Sequence, residues 1–253
     1  MQGFRPGHIA FFILGLLALF AVLAMGGCAP NCAVQPVSNR ISPPQPSAQG
    51  WWYESFKIDW PKGQAPAWSM DLLIAHQIIK PVLIRYGNEI VLWRFHRRAV
   101  RDSAGDQFSF IFYTTAQNAR KIYAAIGSNP VLGQLLAKGL IVQVITDDTN
   151  KITRPKIEDT SDPNWSKPLQ KAWPYFIMGA SQTWLDLISQ YAGRAKERPR
   201  SLNERVSFYQ KIDQKVDATW TKEGGHAFLH HLDALFGYGP LDVVVHRKVK
   251  LQF

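Results

Sequence analysis

Two neighbouring stretches constrain this chain most. In EIVLWRFHRRA, residues 89–99, and QFSFIFYT, residues 107–114, side chains of opposite character alternate. A period of two is the mark of a β-strand with two unlike faces. On the first strand Val91, Trp93 and Phe95 point one way, and Arg94, His96 and Arg98 the other. On the second, Phe108, Phe110 and Phe112 share a face opposite Ser109, Ile111 and Tyr113. The intervening VRDSAGD has turn chemistry, so the two strands are expected to form a hairpin. A sheet with an aromatic row on one side needs helices to cover that side.

The flanking segments supply them. WWYESFKIDW, 51–60, reads as a first strand, with Phe56, Ile58 and Trp60 opposite Tyr53, Ser55, Lys57 and Asp59. SMDLLIAHQIIKPVLIRYGN, 69–88, has helical periodicity with a kink expected at Pro81. Residues 115–139 read as a helix interrupted near Ser128-Asn129-Pro130, and LIVQVITDD, 140–148, as a fourth strand. The order βαββαβ predicts an α+β fold of the ferredoxin-like, split-βαβ kind over residues 51–148. Residues 149–253 are expected to pack on the same body as an acidic loop and a mainly helical extension. Residues 166–193 are apolar around much of a helical circumference, which predicts extensive burial. Ser201 and Glu204 form a capping-box pattern that starts a further helix, and Gly224-Gly225 is expected to end it. A short helix over HAFLHHLDALFGYG and a final strand, LDVVVHRKVKLQF, close the chain.

The N-terminus bears on location. Arg5 precedes an unbroken apolar run, residues 9–25, followed by Gly26, Gly27 and Cys28. Charge, apolar run and small-residue exit are the parts of an export signal, and the run falls short of the ~20 residues of a comfortable membrane span. Ala24-Met25-Gly26-Gly27-Cys28 resembles the lipobox of bacterial lipoproteins. The resemblance covers the first 28 residues and implies cleavage after residue 27 and lipidation, typically palmitate-bearing, of Cys28. The other reading of this segment is an uncleaved signal anchor. With Ala29 rather than Asp after the cysteine, the resemblance also implies the outer membrane, facing the periplasm, over the inner one. Residues 28–50, with five prolines at positions 30–46 and little hydrophobic bulk, read as an extended tether. Cys32, the second of two cysteines, lies within it.

The chain carries a formal charge of +10 over 253 residues. Such a balance fits nucleic acid, anionic membrane surfaces or acidic ligands. An address in the cell envelope removes nucleic acid from that set. The polar sheet face then becomes the candidate site: Lys57, Arg94, His96, Arg98 and Tyr113 are expected to share it and to suit a phosphate or carboxylate. Two alternatives stand beside an anion site. The stretch 147–165, with Asp147, Asp148, Glu158, Asp159 and Asp162, can fold back and pair with the arginines, or the C-terminal helices can cover the face. A surface for a protein partner is the third use.

Other chemistry is thin. His226 and His230, four apart on a predicted helix, are half of a metal site at most, and His231 is expected to point elsewhere. His76 reads as a satisfied core histidine, and Ser181 as a packing residue, since MGASQ lacks the second glycine of a nucleophile elbow. No cofactor is expected. The expectation is an envelope lipoprotein with a globular binding or assembly domain. The alternative is a hydrolase-like envelope enzyme using His96 with Asp159.

Overall fold

The computed structural model describes residues 48–98 and 105–239. The expected export signal, Cys28, Cys32 and the expected final strand lie outside the described residues, and the expected tether gives way to strand at Gln49.

Four strands form one antiparallel sheet: β1 (Gln49–Ile58), β2 (Leu92–Arg98), β3 (Gln107–Thr115) and β4 (Ile141–Thr146), in the order β2-β3-β1-β4. The register sets Trp93 opposite Phe112 and Phe95 opposite Phe110. With Trp52, Phe56 and Phe108 these rings make the expected aromatic face, fully buried under the helices.

The first crossover is one helical rod in three parts: α1 (Trp68–Ile74), a π-helical segment (Ala75–Ile79) and α2 (Lys80–Tyr86). The disturbance expected at Pro81 falls before it. Pro81 has no N–H to give the Gln77 carbonyl four residues back, and that carbonyl accepts Asn129 Nδ2 instead, at 3.0 Å. The second crossover is α3 (Ala116–Gly127) and α4 (Pro130–Ala137), separated where Thr115 and Asn129 cap the two starts with their side chains.

Two long helices follow a short 3₁₀ turn (Ile157–Thr160): α5 (Lys167–Arg194) and α6 (Leu202–Gly224). Of the polar sheet face they touch the apolar end, through Met178 of α5. α5 runs along the edge strand β2, where Ser181 Oγ accepts the Phe95 amide at 3.1 Å and Trp184 meets the Phe95 ring edge-on. α6 packs on α1, and Leu185, Ile188, Phe208, Tyr209, Ile212 and Val216 join the main core. The extensive burial expected of α5 is not found. Its buried positions, Gln170, Pro174, Ser181, Leu185 and Ile188, trace one stripe, and Tyr175 and Phe176 are exposed. An edge strand offers a helix one line of contact.

Ser201 and Glu204 cap α6 as a reciprocal pair. Gly224-Gly225 does not end the rod. It widens into a second π-helical segment (Gly225–His230) and continues as α7 (His231–Leu235). A Cβ on Gly224 would stand 2.9 Å from the Trp220 ring, so close packing is what this glycine permits.

Candidate functional site

The polar face is built as rows across three strands. Trp51, Tyr113 and Leu92 form one row, Tyr53, Ile111 and Arg94 the next, then Ser55, Ser109 and His96, then Lys57, Gln107 and Arg98. All five predicted side chains therefore lie on one face of the sheet. Tyr113 belongs to the apolar end with Trp51, Leu92 and Ile111. Lys57, His96 and Arg98 belong to the polar end, where Ser55 and Ser109 share a hydrogen bond at 2.8 Å and Gln107 donates to Ser109 at 3.1 Å.

The segment 147–160 folds back over the apolar end. Gly50 lets the segment pass close to β1, because a Cβ there would meet Ile152 at 2.5 Å and the Arg154 carbonyl at 3.1 Å. Trp51 donates its amide to Arg154 O and its indole N–H to Ile157 O, both at 2.9 Å, and the Tyr113 hydroxyl donates to Pro155 O at 2.6 Å. Asp147 accepts the Tyr53 amide and pairs with Arg154, whose guanidinium lies 4.2 Å from the Tyr53 ring centroid. Trp51, Tyr113 and Arg94 thus meet backbone carbonyls of the segment, and Asp147 pairs within it.

Arg94 is the consequence. It is half-buried, with one long contact of 3.4 Å from its terminal nitrogen to Thr160 O and a hydrogen bond with Tyr53. Its Nε is buried without a hydrogen-bond partner among the described residues. Burial lowers its affinity for the proton, the Tyr53 hydrogen bond opposes that shift, and the neighbouring Arg98 charge adds to it. A half-buried cation with an idle donor, and no carboxylate in contact among the described residues, is costly unless something else neutralises it.

The remaining predicted residues come together less well. The side chain of Asp159 caps the Lys156 amide at 2.8 Å, and its charge raises the Tyr113 pKa alongside burial, the larger cause. Tyr113 is four residues along β3 from Ser109, the neighbour of His96, a span of ~13 Å. No described contact joins Asp159 to His96. His226 and His230 do share a face, with ring centroids 5.3 Å apart at 10°. His231 does not point elsewhere: its ring lies 5.3 Å from His226 and 5.4 Å from His230, because the π-helical turn shifts the phase of the helix. Among the described residues no group of three or more His, Cys, Asp or Glu side chains is placed to hold a metal ion.

One polar cluster escaped the sequence reading. Arg97 alternates onto the aromatic face of β2, after Trp93 and Phe95. Its Nε donates to Asp71 at 2.6 Å, and its guanidinium lies 4.8 Å and 5.2 Å from the Trp68 and Trp184 ring centroids. Burial pushes the Asp71 carboxyl up to about 7, and Arg97 limits the rise. The signal was present: Asp71 interrupts an apolar helical stripe, and Arg97 sits two residues beyond Phe95.

No helix among the described residues is long and apolar enough to cross a membrane. No protein-family model matches the chain, and searches of curated proteins and of solved structures returned no significant match.

Proposed function

We propose that this chain is a membrane-tethered envelope lipoprotein whose body is a binding domain for an anionic ligand or partner, received on the basic end of the sheet face. The lipobox-like sequence ending at Cys28 and the proline-rich tether support the address. We read the body as a ferredoxin-like βαββαβ unit with a helical extension. The sheet order β2-β3-β1-β4 and the placement of a crossover helix after β1 and after β3 support that reading.

The observation that carries the binding function is Arg94. Its Nε–H is buried without a hydrogen-bond partner among the described residues, and Arg98, two rows along the same sheet face, adds a second positive charge. A carboxylate or phosphate oxygen would take that donor and offset the charge, and an arginine fork suits such groups through paired hydrogen bonds. In the flanking segment 147–160, Asp147 pairs with Arg154, and Asp159 caps the Lys156 amide.

The test is anion-specific stabilisation of the full-length protein in detergent. A ligand that binds only the folded state raises Tm in proportion to RT ln(1 + [L]/Kd). Phosphate at fixed ionic strength raises the Tm of the wild type more than that of Arg94→Gln. Equal increments in both proteins reflect the general action of the salt and reject the proposal.

A further inference from the structure

The π-helical segment Ala75–Ile79 turns His76 and Gln77 out of the apolar stripe, and both are half-buried. They face Tyr209 of α6, which is 1% exposed. Gln77 Nε2 donates to the Tyr209 hydroxyl at 2.7 Å, and that oxygen lies 2.6 Å from His76 Nδ1. An amide nitrogen can only donate, so the hydroxyl accepts from Gln77 and keeps its single proton available for His76. Gln77 Nε2 also approaches His76 Nδ1 at 3.3 Å, which again makes Nδ1 the acceptor. The imidazole proton therefore resides on Nε2. Burial, with the Lys80 charge second, holds the ring neutral by lowering its pKa to about 4.

This chain of bonds forms one wall of a cavity of about 390 Å³ between the first crossover rod, α5, α6 and the turn that joins them. The volume lies in the range of small-molecule sites, ~300–1,000 Å³. Its cations are Lys80, Arg198 and Arg205, and its one carboxylate is Glu197. Glu197 pairs with Lys211 at 2.8 Å. Lys80 uses one N–H on Ser189 Oγ at 2.8 Å, while the Ser189 hydroxyl donates to Leu185 O. Two Lys80 N–H groups remain. Phe208, Pro199 and Ala192 supply apolar wall. The lining thus combines an N–H donor of fixed tautomer, three cations and a nonpolar side. π-Helical turns of this kind recur at functional sites, because the inserted residue re-aims a side chain.

We propose that this cavity is a second ligand site, for a small organic oxyanion: a carboxylate or phosphate on a compact apolar body. Lys80 and Arg205 neutralise the anion, His76 Nε2–H donates to it, and Phe208 packs on the apolar part. Tyr209 and Gln77 are positioning residues that set the imidazole tautomer. The site is separate from the Arg94 face and does not depend on it.

The test uses full-length protein in detergent and isothermal titration with phenyl phosphate, benzoate and inorganic phosphate. At least one aromatic anion is expected to bind, at sub-millimolar to millimolar Kd (about 4–6 kcal/mol). Binding of phenyl phosphate alone assigns a phosphoryl ligand, and binding of benzoate as well assigns a carboxylate. Lys80→Met and Arg205→Met should each weaken it about ten-fold or more with circular dichroism unchanged, while Arg94→Gln leaves it unaltered. In the long-range ¹H–¹⁵N spectrum, His76 should show the Nε2–H tautomer and shift on ligand addition. Tyr209→Phe should lose that single tautomer. The proposal is overturned by a folded wild type that binds neither aromatic anion up to about 10 mM. Affinity indifferent to Lys80 and Arg205 overturns it equally. Affinity lost only in Arg94→Gln assigns the anion to the sheet face and also rejects the cavity.

Discussion

At the scale of single residues, the costliest groups are charges without water. Glu54 sits on the helix side of β1, 2% exposed, with Oε2 unpartnered, and burial lifts its pKa to about 8. The folded protein then holds a proton that the unfolded chain releases near 4.5. Between those values the folded state binds more protons, so stability falls as pH rises, by about 3–5 kcal/mol in total. Glu54→Gln should flatten the decline of Tm between pH 5 and pH 8, and an unchanged slope would contradict the burial argument. Arg97 and Asp71 are the complementary case. Truncating one partner strands the other, so Arg97→Met should cost about 3–5 kcal/mol in urea unfolding. A loss below about 1 kcal/mol would mean that the pair is wetter than its geometry implies.

At the scale of elements, alternation and capping were the readable signals. The aromatic row Phe108, Phe110 and Phe112 announced β3 and its buried side, because a strand has one period and two faces. The Ser201–Glu204 box announced the start of α6 for a similarly local reason. The π-helical segments were not readable. Beside the first, Asn129, fifty-two positions from Gln77, takes the carbonyl that Pro81 leaves without an N–H, and before the second, Trp220 packs over Gly224 one turn on in the same helix. Asn129 also caps α4 through Val131 N, so Asn129→Ala should lower stability by about 1–3 kcal/mol, measured by denaturant unfolding. The cover was half readable. Its acids drew attention to residues 147–165, but donation by Trp51 and Tyr113 to its carbonyls depends on backbone placement that no composition encodes. Gly50→Ala should push that cover off β1 and speed tryptic cleavage at Lys151 and Lys156. Cleavage at the wild-type rate would show that the segment accommodates a Cβ.

At the scale of the whole molecule, one sheet separates two functions of the core. Its aromatic side joins crossover helices, α5 and α6 into a single body, and its other side is apolar under the 147–160 cover and basic beyond it. A domain arranged this way, held to a membrane by a lipid on Cys28, would present its basic face to ligands in the envelope. Cys28→Ser should move the full-length protein out of the membrane fraction, whereas unaltered retention would favour an uncleaved anchor. The central claim is that Arg94 waits for an anion. The most direct measurement is the ¹⁵N Nε–H resonance of Arg94 in arginine-labelled full-length protein, with Arg97, already bound to Asp71, as an internal reference. Titration with phosphate should shift the Arg94 signal saturably and leave Arg97 in place. An Arg94 resonance that stays fixed with phosphate and with carboxylates alike would contradict the account.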